Sequence, residues 1–107
     1  MTFVAEWTAD AGSAAETVVW TLQGVAISDG DDLDATFGSA QTSTDALQAT
    51  GKKHTSPESG LLTIAGSPTT ADLVVFQISR DVADTLNADA RLLKLVLFWT
   101  SNATSDD

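Results

Sequence analysis

The chain contains no cysteine, no tyrosine and only one histidine in 107 residues. The missing thiols remove disulfides as a source of stability, together with thiolate zinc sites and thiolate nucleophiles. His54 has no second histidine with which to share a metal, and no G-x-S-x-G elbow, P-loop or Rossmann fingerprint is present. An enzyme is therefore not expected, nor is a cofactor. Basic residues are scarce: 5 Lys and Arg stand against 15 Asp and Glu, a formal charge of −10. Such a surface repels phosphate backbones and argues against nucleic acid as a partner. No Lys or Arg precedes Lys52, so the first half of the chain is acidic throughout. Long apolar runs are absent too. None approaches the roughly 20 residues that span a bilayer, and the start lacks the basic and apolar regions of a secretory signal, so no membrane partner is expected.

What the sequence does have is alternation. TFVAEWT, at residues 2–8, puts Phe3, Ala5 and Trp7 on one face and Val4, Glu6 and Thr8 on the other, the period of a half-buried strand. Thr17 to Ile27 continues with Val18, Trp20 and Leu22, but beyond Gly24 the heavy residues Val25 and Ile27 change parity. A bulge or bend at Gly24 would restore them to one side. The turn of eight residues between the two segments predicts an antiparallel hairpin. Gly38 to Thr55 holds few large apolar side chains and reads as weak strand or loop. Pro57 and Gly60 bracket a turn, and LLTIAG, from Leu61 to Gly66, reads as a short strand.

Asp72 to Thr100 is the densest apolar stretch, and it reads as two strands joined by a polar connection. In DLVVFQISR, Val74, Phe76 and Ile78 share one parity. RLLKLVLFWT puts Leu93, Leu95, Leu97 and Trp99 on one face and Leu92, Lys94, Val96, Phe98 and Thr100 on the other. Lys94 marks its face as the outer one. That face still carries Leu92, Val96 and Phe98, so the last strand is expected to close a core on one side and meet a partner on the other. Turn signals recur at roughly ten-residue spacing, which predicts an all-β, antiparallel β-sandwich, jelly-roll-like, of about six to eight strands. Residues 1–100 form the single domain expected, and 101–107 a flexible tail.

Several of these segments resemble a β-sandwich domain that recurs in virion structural proteins of tailed bacteriophages. The resemblance is carried by W-x-L-Q-G-x-A (Trp20 to Ala26), D-x-x-x-x-x-F-G (Asp31 to Gly38), T-I-A-G-S-P (Thr63 to Pro68) and R-D-x-x-D-T-L-x-x-D-A-R-L-L (Arg80 to Leu93). It covers most of the chain. It implies a non-enzymatic virion component, made in the bacterial cytoplasm: a capsid decoration or cement protein, or a fibre or tail part. The implied partners are the major capsid protein and copies of the chain itself, with a homo-oligomer expected. The family pattern carries further sequence ahead of the equivalent of TFVAEWT, so a sheet edge left open for a neighbour is expected here. It also tends to place polar or small residues late in the last strand, where this chain has Val96 and Phe98.

The candidate sites each have a plainer reading. Asp29, Asp31, Asp32 and Asp34 crowd hard oxygen donors suited to Ca²⁺. However, Leu33 interrupts the EF-hand order and no bidentate Glu follows, so the acidic turn is expected to be a solvated one that discourages edge pairing. Lys52 and Lys53 form the only basic cluster, read as a solvated turn or as a contact for an acidic neighbour. Arg80 and Arg91 flank Asp81, Asp84 and Asp89, where local pairing would fix the connection. Trp7, Trp20 and Trp99 would make a sugar-stacking platform in a tail- or fibre-associated carbohydrate-binding or receptor-binding module. Each is in phase with the apolar parity of its own strand, so core packing is expected instead. The interface set is Leu92, Val96, Phe98, Lys52 and Lys53.

Overall fold

The computed structural model describes residues 1–67, 69, 72–81 and 84–99. The described residues contain no helix and six strands: β1 (Thr2–Ala9), β2 (Thr17–Ile27), β3 (Gln41–Ala46), β4 (His54–Thr55), β5 (Leu73–Arg80) and β6 (Ala90–Phe98). They form two antiparallel three-stranded sheets, ordered β4-β1-β6 and β3-β2-β5. The all-β, antiparallel architecture is the one that the alternation predicts.

Alternation also decides which faces meet. β1 buries Phe3, Ala5, Trp7 and Ala9, and β2 buries Val18, Trp20 and Leu22. Leu47, Leu62 and Leu86 come in from the connections to complete one apolar cluster shared by both sheets. Two sheets with a common core make a small sandwich-like arrangement, with fewer strands than the roughly eight of a jelly roll.

Connectivity departs from the expectations. β1 and β2 do not form a hairpin, because each is the central strand of a different sheet. β5 and β6 are likewise split between the sheets, so the polar segment joining them crosses from one sheet to the other. Strands with one apolar face gain more by stacking those faces than by pairing side by side around a long turn. LLTIAG is no strand: only Ala65 makes an isolated bridge, to Val25. There is no bulge at Gly24, since β2 stays in continuous register with β5 from Trp20 to Ile27. Gly24 is instead a place of close approach, where an added Cβ would lie 2.6 Å from Ile64 Cδ1 and 3.2 Å from the Phe76 ring. The irregularity sits in the first sheet. Glu6 pairs with Lys94 and Trp7 with Leu92, so Leu93 is the extra residue of a β-bulge.

One flank of this fold is tied together across the sheets. Trp7 Nε1–H donates to Asp45 Oδ2 at 3.0 Å, linking β1 to β3 across the sheets. His54, buried, stacks on the Trp7 ring with centroids 4.5 Å apart. Its Nε2 accepts the Gln48 N–H at 2.9 Å. Past β4 the chain runs beside β1 as a strap. Ser56 N–H donates to Ala5 O and Ser59 N–H to Phe3 O, while the Ser56 and Ser59 hydroxyl oxygens accept the Ala5 and Phe3 N–H groups, all at 2.9 Å. Serine hydroxyls thus stand in for strand carbonyls along S-P-E-S, where Pro57 forbids a regular ladder.

Candidate functional site

The opposite flank is open, and the hydrogen bonds just described show why. Phe3 and Ala5 spend their backbone groups on the strap. Successive residues of a strand point these groups to opposite sides, so Thr2, Val4 and Glu6 bond β6. Their partners are Phe98, Val96 and Lys94. Leu95 and Leu97 therefore aim their N–H and C=O groups away from β1, where no described strand pairs with them. The same holds for β5. Val19 O accepts the Asp81 N–H at 2.8 Å, and Gly24 O and Ala26 N bond on the other side, to Gly38, Ala65 or both. Odd-numbered residues of β2 thus face β5, and Val74, Phe76 and Ile78 turn their backbone groups to an edge where no described strand pairs with them.

Between these two edges lies a cleft of about 520 Å³, lined by Met1, Ile64, Val74, Phe76, Leu97 and Trp99, with Thr69 as its polar member. Of the seven exposed large apolar side chains among the described residues, four (Leu92, Leu93, Phe98, Trp99) lie on β6 or directly after it, and Leu73 begins β5. Exposed grease beside unpaired backbone is what a joining strand covers.

The interface residues singled out in the sequence fall in two places. Val96 and Phe98 lie on the outer face of β6, opposite Val4 and Thr2, and Phe98 is 48% exposed. Leu92 is exposed as well, but on a different register. The bulge at Leu93 reverses the parity before it and places Leu92 opposite inward-facing Trp7, off the Val96–Phe98 face. Trp99 is a correction, 68% exposed rather than in the core. It follows the last residue of β6, beyond any pairing with β1. Lys52 and Lys53 sit on the far side of β1, beside β4. Lys53 Nζ reaches Glu6 at 3.4 Å, and the Lys52 carbonyl accepts the Thr8 hydroxyl at 2.7 Å.

The remaining charged groups serve local structure. Arg80 Nε and Nη2 donate to the two oxygens of Asp84 at 2.6 and 3.1 Å, and Nη1 donates to Ala88 O at 2.6 Å. Nη2 also donates to Leu86 O. The Asp84 hydrogen bonds raise the Arg80 pKa further above its ordinary range. Local pairing of Arg80 within the connection is as expected, whereas Arg91 pairs outside it, with Asp10. In the acidic loop Asp31 Oδ2 accepts the Ser28 N–H at 3.0 Å. Among the described residues no three His, Cys, Asp or Glu side chains are grouped to hold a metal. Asp72 accepts the Thr69 N–H at 2.8 Å and the Ser28 hydroxyl at 2.9 Å, and these two bonds, the amide first, lower its pKa.

Sequence reading missed the β5 edge and the cleft, because Val74, Phe76 and Ile78 look like any core triplet. Only the sheet order reveals that no described strand lies beyond them. In comparisons with known proteins, no family model matches the chain, and no curated protein and no solved structure is significantly similar to it.

Proposed function

We propose that the chain is a non-enzymatic assembly module whose working surface is the open β5–β6 flank. The observation that carries this reading is two strand edges that no described strand pairs, with an apolar cleft between them. A free edge offers main-chain hydrogen bonds, and the cleft takes the alternate side chains of whatever joins it. Burying side chains such as Leu93, Phe98 and Trp99 contributes about 1 to 2 kcal/mol each. Such contacts are modest singly and strong when repeated over many copies.

The finer reading is a virion component of a tailed phage, a capsid decoration or cement protein bound to the head exterior through strand edges and apolar contacts. It is supported by the four motifs from Trp20 to Leu93 alone. Phe98→Asp tests it: the variant should stay soluble and β-rich by circular dichroism yet lose incorporation into particles. Incorporation at the wild-type level would overturn the reading.

A second reading is favoured by a specific observation. Phe98 and Trp99 flank a hollow of about 240 Å³ that also holds Leu61, Thr2 and Glu58. Exposed aromatic rings beside polar groups suit a carbohydrate-binding or receptor-binding module of a tail or fibre. Trp99→Ala would then abolish a glycan-array signal without altering sedimentation. Silence of the wild-type chain on the array would count against it.

A further inference from the structure

We infer that the occupant of the β6 edge is the β6 edge of a second copy, paired antiparallel about a two-fold axis at Leu95. The inference rests on the assembly reading above and names its partner. The first argument is charge. The whole chain carries −10, but the segment from Ala90 to Trp99 holds Lys94, Arg91 (paired with Asp10) and no acidic residue of its own. Two copies that repel each other almost everywhere can approach along this strand without setting carboxylate against carboxylate.

The second argument is register. Leu95 and Leu97 present free backbone groups along this edge, as derived above from the β1 bonds. A two-fold axis at Lys94 would overlap the whole strand but set the two lysines directly opposite, a destabilising pair. An axis at Val96 confines the overlap within β6 to Lys94–Phe98. An axis at Leu95 keeps the two lysines apart and brings Leu93 into the pairing. It matches Leu95 with itself, Leu97 with the partner's Leu93 and Lys94 with the partner's Val96, and it ends at the bulge, beyond which Leu92 leaves the Phe98 face. Outward-facing free groups then meet each other, and four of the exposed apolar side chains meet in pairs or lie beside the seam. The result is an isologous interface that joins two three-stranded sheets into one continuous sheet.

The register makes opposite predictions for two substitutions at one half-buried edge position. Val96→Lys faces the partner's Lys94 twice across the axis, and Val96→Glu faces it with opposite charge. In sedimentation velocity the wild-type chain should reach twice the monomer mass as concentration rises, Val96→Glu should do the same, and Val96→Lys should stay monomeric. A second measurement needs no charge. The chain has no cysteine of its own, and directly opposed strand residues lie within disulfide reach. Leu95→Cys should oxidise to a covalent dimer, and Leu97→Cys should not. A wild-type chain that remains monomeric, or Val96→Lys and Val96→Glu chains that associate alike, would overturn the pairing. Particle incorporation is read separately through Phe98→Asp, so that failure is distinct from failure of the assembly reading.

Discussion

At the scale of single residues, His54 shows how a lone histidine serves structure. Its ring packs against Trp7, and its Nε2 holds the Gln48 amide. Nδ1 finds no partner among the described residues, so the ring is held by stacking and one bond. His54→Ala removes both and should lower stability by about 3 kcal/mol. His54→Phe keeps the stack and should recover about half of that loss, as urea denaturation would report. Asp72 is a residue whose contribution depends on pH. Its folded-state pKa lies below the ordinary 3.8, through the Thr69 amide and then the Ser28 hydroxyl. The stabilisation is therefore present above 3.8 and lost as pH falls through the lowered value. The gap in Tm between wild type and Asp72→Asn should be full near neutrality and should close on acidification through this range. A gap independent of pH would refute the assignment.

At the scale of elements, the β5–β6 connection is held by one guanidinium. Arg80 binds Asp84 with two nitrogens and also the carbonyls of Leu86 and Ala88. These contacts keep Leu86, which is 3% exposed, seated in the core. Arg80→Ala leaves the Asp84 carboxylate buried without its partner and should cost about 3 kcal/mol. Arg80→Lys, with a single ammonium in place of a planar fork, should recover only part of this. Hydrogen exchange in residues 84–88 is the measurement, with faster exchange expected in both variants. The strap at Ser56 and Ser59 occupies the edge of β1 that faces away from β6.

At the scale of the whole molecule, charge opposes assembly and apolar area favours it. Two copies at −10 each repel over a distance of about 10 Å at moderate ionic strength. Added salt should therefore tighten self-association along β6, and sedimentation equilibrium at low and moderate salt should show it. Weakening by salt would mean that ion pairs rather than apolar contacts hold the copies together.

The sequence by itself determined the strand character of β1, β2, β5 and β6, the inward residues of β1 and of β2 up to Leu22, and the two-sided greasiness around Val96 and Phe98. Those follow from side chains alternating along a single strand, a local property. Only the tertiary structure decided which strands share a sheet, that Leu93 is an extra residue and shifts Leu92 off the Val96–Phe98 face, that Trp99 lies beyond the core, and that two edges flank one open cleft. Each of these depends on what lies across from a residue rather than beside it in the chain. Pairing between segments far apart is chosen by the burial of all faces together, which no single stretch encodes.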